Sequence, residues 1–173
     1  MEANGTTWVV LGLLALRRMS GYEMKQVVDH STRFFWAASY GQLYPELRRL
    51  EGLGLVAGES EPRGARPRRV FTLTEEGRHA LHTWLRGSRV RMETRDESLL
   101  RLFFADALPH EEALDLVQAR ADHFRGALAQ LEGIASEADD PPFVGLTLRY
   151  GLDYCRWEID WCTAQERQLR EDR

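Results

Sequence analysis

A leucine-striped segment, Ser39-Tyr-Gly-Gln-Leu-Tyr-Pro-Glu-Leu-Arg-Arg-Leu-Glu-Gly-Leu-Gly54, stands shortly before a basic run, Arg63-Gly-Ala-Arg-Pro-Arg-Arg69. Its leucines recur four, three and three residues apart, which places them on one inward-facing side of a helix. These leucines are Leu43, Leu47, Leu50 and Leu53. The polar side chains off that stripe are of the types that reach base edges and phosphates, so a DNA recognition helix is predicted.

A basic β-hairpin is predicted directly after this helix. The chain turns at 52–54, gives a short apolar strand at 55–57, and passes prolines and a glycine before a second strand at 69–73. Between Glu61 and Val70 four arginines stand against one acidic residue, a net charge of +3 that phosphates would compensate. A solvated loop and an ordinary leucine core are the alternatives, but the order of the segments favours DNA binding.

Further helices complete a winged helix-turn-helix. An apolar run at 8–16 predicts the first helix, and Ser20 with Glu23 has the spacing of a capping box that begins the second. Thr74-Glu-Glu-Gly77 begins a fourth helix that leads towards Arg86. Helices and wing together predict this fold. DNA contacts are expected from Tyr22, Ser39, Tyr40, Gln42, Tyr44, Arg48, Arg49, Arg63, Arg66, Arg68 and Arg69.

Pro45 conflicts with a recognition helix that is capped by Ser39. With that cap, Pro45 falls past the first turn, where its missing N–H and its ring cost about 3 kcal/mol. We therefore expect the helix to begin loosely around Tyr40 and Gly41, with an open first turn. The register of the helix stays open at this level.

Several spaced motifs resemble the PadR family of bacterial transcriptional regulators. They are Gly21-Tyr-Glu-Met24, Tyr40-Gly-Gln-Leu-Tyr-Pro-Glu-Leu-Arg-Arg-Leu-Glu51, Gly54-Leu-Val56 and Phe71-Thr-Leu-Thr-Glu-Glu-Gly77, and the likeness spans roughly residues 8 to 86. The family often has Lys or Arg followed by two tyrosines where this chain has Arg69-Val-Phe71, so those hydroxyl groups are absent. Glu97-Ser-Leu-Leu-Arg-Leu-Phe-Phe-Ala-Asp106 and Pro109-His-Glu-Glu112 resemble the helical C-terminal domain of the larger members.

The charge of the chain changes sign between its halves. The first 87 of the 173 residues hold 12 basic and 9 acidic side chains, net +3, whereas the rest hold 11 and 18, net −7. This asymmetry predicts a DNA-binding domain at 1–87 joined to a domain at 88–173 that faces another partner. The apolar patterns of the second half predict that this domain is helical and coiled-coil-like, for dimerisation and a possible effector. The expected fold class is mainly α with a small β-hairpin.

The C-terminal half carries long apolar patterns. Residues 114–135 have apolar side chains three and four apart, a coiled-coil type of seam, and the last helix, at about 142–169, has two apolar stripes about 200° apart. A helix that is apolar on two sides must be covered on two sides, so we expect a homodimer through these helices, with the choice of face left open. Dimer contacts are expected from Leu128, Leu131, Leu148, Leu152, Cys155, Ile159 and Cys162.

The second stripe of the last helix is aromatic. Core or dimer interface is the usual role of such residues, and a pocket for a flat aromatic effector is the alternative. PadR relatives include repressors that respond to phenolic acids and drugs, so the resemblance implies a ligand without naming it. The residues considered for that pocket are Trp36, Phe103, Tyr154, Trp157 and Trp161.

Enzyme, cofactor, metal and membrane functions are not expected. Nucleophile-elbow, phosphate-loop and zinc-protease motifs are absent from the sequence, and His79 and His82 have no Cys near them to complete a metal site. The apolar run at 8–16 is too short to span a bilayer and lacks the flanks of a signal peptide, so we expect a cytoplasmic protein. Cys155 and Cys162 lie roughly 10 Å apart in one helix, beyond disulfide reach, which predicts buried, reduced thiols; an intersubunit bridge or a redox sensor is the alternative.

These features predict a sequence-specific transcriptional regulator, a ligand-responsive repressor that binds a palindromic operator in double-stranded DNA as a homodimer. The alternative is a protein-interaction module whose winged helix contacts another protein. Salt distinguishes the two, because each phosphate contact steepens the fall of log affinity with log salt by about 0.9.

Overall fold

The computed structural model describes residues 3–61, 68–87, 95–135 and 141–171. The chain divides into two compact units, Met1–Arg91 and Met92–Arg173. The first has a winged helix-turn-helix fold and the second is helical. The expected domain boundary after Gly87 stays a prediction, because it borders on residues outside the described ones.

The first unit combines helices with a small antiparallel sheet. In chain order its elements are α1 (Gly5–Leu16), β1 (Met19–Ser20), α2 (Gly21–Asp29), a 3-10 turn (Thr32–Phe34), α3 (Tyr40–Gly52), β2 (Val56–Glu61), β3 (Arg68–Leu73) and α4 (Glu75–Leu85). The strand order is β1-β3-β2, with Met19 opposite Phe71 and Val56 opposite Leu73. A strand as short as β1 shows no alternating pattern from which it could be predicted.

Capping interactions begin these helices. At α2, Ser20 N–H donates to Glu23 Oε2 (2.8 Å) and Glu23 N–H donates to Ser20 Oγ (3.3 Å), which confirms the predicted capping box. At α4, Gly77 N–H donates to Thr74 Oγ1 (3.1 Å), and the predicted start is confirmed. The first helix begins earlier than predicted, at Gly5, because Asn4 forms another capping box with Thr7.

The recognition helix α3 begins at Tyr40, which confirms the expected start, with Ser39 as its N-cap. Its first turn is closed, so the expectation of an open first turn is wrong. Gln42 Oε1 accepts hydrogen bonds from Ser39 N–H (2.9 Å) and from Ser39 Oγ (3.1 Å). Leu43 N–H donates to the Ser39 carbonyl (2.9 Å) and closes the turn. These bonds satisfy groups that would otherwise be orphaned at a helix start.

Pro45 lies inside α3, where the loss of a helical hydrogen bond costs about 3 kcal/mol. Tertiary packing offsets this cost, because Leu43, Leu47 and Leu50 are completely buried and each contributes about 1.5–3 kcal/mol. The prediction that Leu53 also faces inward is wrong, since this residue is 52% exposed. It follows the end of the helix and so leaves the stripe.

The second unit is built on a long helical hairpin. Its elements among the described residues are α5 (Glu97–Phe103), a 3-10 turn (Ala105–Ala107), α6 (His110–Ala135) and α7 (Pro142–Glu171). The two long helices pack antiparallel, since Gln118 bonds to Glu166 (2.6 Å) near one end and Arg156 bonds to Glu132 (3.2 Å) towards the other.

The predicted α6 seam and one stripe of α7 are buried in part: on α6, Leu114, Val117, Ala121 and Leu131 are buried, whereas Phe124 and Leu128 are partly buried and Ala135 is exposed. Cys155 and Cys162 are 4% and 1% exposed free thiols, buried as predicted, and burial raises the pKa of both. Leu131 is equally buried and packs against Gly151. These three expected dimer contacts are thus covered within one chain, because α6 already occupies that face of α7.

The aromatic stripe of α7 is mostly exposed in the single chain. Phe143 is 81% exposed, Tyr150 70% and Trp157 57%, while Trp161 is half-buried against Cys162. The short helix α5 also has no fully buried side chain in the single chain. Within the described residues, none of the helices has the length and apolar character of a membrane span.

Candidate nucleic-acid interface

α3 presents a polar and aromatic row beside its buried leucines. Tyr40 and Tyr44 are exposed one turn apart, and Arg48 continues the row after another turn. Arg48 has no ion-pair partner among the described residues. Hydroxyl and guanidinium groups in such a row match the acceptors of the major groove and of the phosphates.

Two tyrosines and a lysine pack where α2 meets α3, and we call them the tyrosine–lysine cluster (Lys25, Tyr40 and Tyr44). The two rings stack with centroids 6.1 Å and planes 22° apart, and Lys25 Nζ lies 5.5 Å from the Tyr40 centroid. The Tyr44 ring rests on Gly21, where an added Cβ would lie 2.7 Å from Tyr44 Cε1. A glycine at this position therefore lets the ring pack closely on α2.

The sequence patterns did not single out Lys25, although it is the only lysine of the chain. Its ammonium group pairs with Asp29 as well as lying over Tyr40. Tyr22 is exposed on the same helix, and its hydroxyl accepts a hydrogen bond from Gln26 Nε2 (3.3 Å). The second helix thus adds a cation and a ring to the polar surface of the third.

Gln42 and Ser39 lie exposed at the first turn of α3. Because Gln42 Oε1 accepts both Ser39 bonds, its amide nitrogen is the group left to face outward. A glutamine amide held in this way is oriented before any ligand arrives.

Arg49 is not part of the exposed row on α3, because it bonds to side chains within the fold. Its guanidinium donates to Glu46 Oε2 (2.9 Å) and Oε1 (2.7 Å) and to Thr7 Oγ1 (3.2 Å). Glu46 is 6% exposed and also accepts from the Thr7 hydroxyl (2.6 Å). The hydrogen bond from Arg49 lowers the pKa of Glu46 despite its burial. This network joins α1 to α3.

The arginines at the base of the wing are ion-paired. Arg68 Nη2 lies 2.6 Å from Glu23 Oε2 on α2, and Arg69 Nη2 lies 2.6 Å from Glu51 Oε1 on α3. The backbone hydrogen bond from Ser20, together with Arg68, lowers the pKa of Glu23. The predicted contacts Arg63 and Arg66 lie outside the described residues.

A buried ion-pair network lies in the second unit. Arg120 donates to Glu158 through Nε (2.9 Å) and Nη2 (2.6 Å), and through Nη1 to Asp96 (2.8 Å), the N-cap of α5. The Tyr154 hydroxyl donates to Glu158 Oε1 (2.7 Å), and the Arg120 guanidinium lies 5.0 Å from the Phe124 ring centroid. The network joins α5, α6 and α7.

These contacts shift several pKa values. Burial alone would raise the pKa of Asp96, but the hydrogen bond from Arg120 and those at the α5 N-terminus lower it to about 2. Burial and the bond to Glu158 raise the pKa of Tyr154 to about 12. Arg120 stays charged, because its two carboxylate partners outweigh its burial and raise its pKa. Arg120 and Asp96 are therefore both charged at neutral pH.

The structure brings together three of the five aromatic residues considered for an effector pocket. Tyr154, Trp157 and Trp161 form a ladder on α7 with successive centroids 6.3 and 6.5 Å apart. Phe103 lies exposed on α5, and Trp36 belongs to the first unit, where it packs on Gly5. Among the described residues, no group of three or more His, Cys, Asp or Glu is placed to hold a metal ion.

Two family models match this chain in succession. The model of the transcriptional regulator PadR-like family matches residues 10–83, and that of the virulence activator alpha C-terminal region matches residues 94–170. The first match covers the winged helix-turn-helix, and the second covers the helices α5 to α7.

Comparison with individual proteins and solved structures also finds PadR regulators. The negative transcriptional regulator PadR of Bacillus subtilis is 30% identical over 128 residues, which are 73% of this chain and 70% of that protein. The crystal structure of B. subtilis PadR in complex with operator DNA matches with a TM-score of 0.84 and 26% identity over 96% of this chain and 99% of that one. Its complex with p-coumaric acid matches with a TM-score of 0.75 and 25% identity, over 97% and 98%.

These relatives regulate transcription and are not enzymes. The resemblance seen in the sequence motifs is confirmed, and so is the mainly helical fold with a small sheet. The chain therefore belongs to the PadR-like family of DNA-binding transcriptional regulators.

Proposed function

We propose that the protein is a repressor that binds a palindromic operator as a homodimer in the cytoplasm and releases it when a small aromatic effector binds. The observation that carries the DNA-binding part is the exposed row of Tyr40, Tyr44 and Arg48 on α3. The similarity to a PadR bound to operator DNA supports it. Repression is supported by the name of the B. subtilis relative, a negative regulator.

The DNA contacts are divided between the helix-turn-helix and the wing. In this proposal Gln42, Tyr40 and Tyr44 face base edges and Arg48 binds phosphate. Tyr22 and Ser39 contact the backbone beside them, and Arg63 and Arg66 bind phosphates from the wing. Arg49, Arg68 and Arg69 already bind carboxylates, so we assign them to the fold and to the base of the wing.

Dimerisation is proposed to cover the exposed aromatic stripe of α7. Large aromatic side chains are typical of the central part of interfaces, and single copies rarely leave such a row in water. Leu128, Leu148, Leu152 and Ile159, also predicted for the interface, are partly buried in one chain. The last three share the stripe of Cys155 and Cys162 that meets α6, so the proposal moves the interface from that stripe to the aromatic one. A two-fold dimer would place two recognition helices for half-sites about 34 Å apart or a multiple of that.

The effector is proposed to be a flat aromatic molecule. The ladder of Tyr154, Trp157 and Trp161 offers ring faces, and Phe103 is a further exposed ring of the same unit. The complex of a related PadR with p-coumaric acid supports this class of ligand. Such a ligand acts on transcription only if it binds the DNA-competent dimer and the released dimer with different affinities.

Fluorescence anisotropy with the DNA upstream of the protein's own gene tests the proposal. Tight binding that resists random competitor DNA and weakens steeply with salt supports a sequence-specific regulator. Binding no tighter than to random DNA would favour the protein-interaction module. Adding p-coumaric acid to the complex then tests release.

Gln42 and Arg66 are expected to contribute differently to binding. Arg66→Ala should weaken binding to every sequence and reduce the salt slope by about 0.9, because a phosphate contact carries no sequence information. Gln42→Ala should weaken operator binding by about 1–3 kcal/mol and relax the preference at one base pair. Titration of operator variants and random DNA measures both effects.

The cap function of Gln42 requires a control. Gln42→Glu keeps an oxygen acceptor for the Ser39 bonds but removes the amide donor, so the helix should stay capped while base preference is lost. Equal losses on all sequences for Gln42→Ala and Arg66→Ala would contradict the base-contact role.

Tyr150 tests the dimer. Tyr150→Glu should leave the folded single chain intact, because this side chain is 70% exposed, but should weaken the dimer by at least about tenfold through a buried charge. Light scattering during size-exclusion chromatography measures the mass. Arg149→Gln makes the same change in charge at a neighbouring exposed position and should not alter the dimer. Equal masses for all three proteins would exclude this face.

A further inference from the structure

Adjacent arginines of β3 are held from opposite faces of the wing. Successive side chains of a strand point to opposite faces, and Arg68 and Arg69 accordingly meet carboxylates of different helices. Arg68 pairs with Glu23 at the start of α2, and Arg69 pairs with Glu51 in the last turn of α3. The base of the wing is thus attached to both helices of the helix-turn-helix.

Glu51 holds both strands of the wing with a single oxygen. Its Oε1 accepts the Gly58 N–H of β2 at 3.0 Å and the Arg69 Nη2 of β3 at 2.6 Å. β2 is an edge strand, so a backbone donor there has no strand on its outer side to pair with. Arg69 also lies over the Phe71 ring, 5.6 Å from its centroid.

Gly58 makes this approach possible. A Cβ added there would lie 2.6 Å from Glu51 Oε1, 2.7 Å from Arg69 Nε and 2.9 Å from Phe71 Cε1. All three neighbours would have to move, so any larger residue would push the carboxylate and the guanidinium off the strand. The clamp of Glu51, Gly58 and Arg69 therefore depends on a residue without a side chain.

We propose that Glu51 is a positioning residue for operator recognition, which sets the wing relative to the recognition helix by clamping Gly58 and Arg69. This inference rests on the proposed function. The helix and the wing must reach the DNA at the same time, and a wing held in place beforehand loses less conformational freedom on binding. Arg69 acts through this geometry and not as a phosphate ligand.

The two roles of Arg69 predict opposite effects of removing Glu51. If Arg69 were a phosphate ligand held back by the carboxylate, Glu51→Ala would free a cation, tighten binding to all DNA and steepen the salt slope by about 0.9. If Glu51 positions the wing, the same change weakens operator binding and leaves the slope unchanged. The sign of the effect on affinity therefore separates the roles.

The experiment uses the full chain and a duplex that the wild-type protein selects from a random-sequence library. Glu51→Ala should bind this duplex about tenfold more weakly, while binding to random DNA changes less than about twofold. Arg69→Ala and Gly58→Ala should lose a similar factor. The double variant Glu51→Ala/Arg69→Ala should be no weaker than either single variant, because both break one link.

Two further variants keep the result interpretable. Glu51→Gln retains an acceptor for Gly58 N–H and should recover part of the loss, even if Glu51→Ala folds poorly. Glu59→Ala removes the same charge from an exposed position on β2 and should match the wild type. Circular dichroism establishes that each variant is folded.

Unchanged operator binding by Glu51→Ala, or tighter binding to all DNA, would overturn the positioning role while leaving the proposed function in place. Independent, multiplying losses in the double variant would also overturn it. If the wild-type protein selects no sequence at all, the proposed function fails first, and the positioning role fails with it.

Discussion

Replacing Arg120 by alanine is expected to lower the free energy of unfolding by about 3–5 kcal/mol. The side chains of Arg120 and Glu158 are 2% and 3% exposed and share two hydrogen bonds of 2.9 and 2.6 Å. Removing Arg120 leaves the Glu158 carboxylate buried without a counter-charge. Glu158→Ala should have a smaller effect, because Arg120 keeps Asp96 at 2.8 Å as a counter-charge. Urea denaturation followed by circular dichroism, at one fixed protein concentration, measures both.

An exposed arginine on α7, the helix that carries Glu158, provides the control. Arg156 pairs with Glu132 (3.2 Å) and Asp153 (3.4 Å) but is half-exposed, so Arg156→Ala should change stability by less than about 1 kcal/mol. The double variant Arg120→Met/Glu158→Leu should be less destabilised than Arg120→Ala, because neither charge of the fully buried pair is left alone. Asp96 loses its partner but is 25% exposed and keeps its hydrogen bonds from Ser98 and Leu99 N–H. A neutral Arg120→Ala, or a simple sum in the double variant, would contradict the coupled network.

The second large effect is expected at Gly77, where alanine should destabilise the protein by about 2–3 kcal/mol. Gly77 lies in the first turn of α4, and a Cβ there would be 2.0 Å from the Leu55 carbonyl oxygen and 2.8 Å from Leu73 Cδ1. A backbone oxygen cannot rotate away as a side chain can. The Leu55 carbonyl is also fixed by the Thr74 N–H (3.2 Å), so relief requires moving the start of the helix. Chemical denaturation measures the loss.

Gly12→Ala is the matched control for this prediction. Gly12 lies within α1 of the same unit, and an added Cβ would meet no atom within 4 Å. Alanine should therefore stabilise the helix there by about 0.5–1 kcal/mol, since glycine is a poor helix former. Opposite signs for the two variants support the close approach at Gly77. Stabilisation by both would show that α4 can shift away from Leu55 at little cost.

Much of the fold was predictable because its signals are local. The capping box at Ser20 and the cap at Thr74 each depend on two residues three positions apart, and the structure confirms both helix starts. The buried leucines of α3 and the α6 seam follow from helical periodicity alone. The prediction of an open first turn in α3 was wrong. It rested on the local free-energy cost of Pro45, and this cost is offset by tertiary packing that a local rule does not include.

The candidate site was predictable in its location and less so in its individual residues. The exposed row of Tyr40, Tyr44 and Arg48 follows from the helix register that the leucines set. Arg49, Arg68 and Arg69 have the same side-chain chemistry as Arg48, yet all three are paired with carboxylates. Two of these partners are 18 and 45 residues away along the chain, so no spacing rule identifies them.

The sequence by itself determined the winged helix-turn-helix, the long C-terminal helices and the sign of the charge on each half, because these depend on residue type and short-range order. Only the tertiary structure decided which stripe of α7 meets α6, which arginines are paired, and that Glu51 holds both wing strands. The physical reason is that many chemically equivalent groups in the chain could form each ion pair or packed face. Which of them do so depends on their distance in space, and the fold sets that distance.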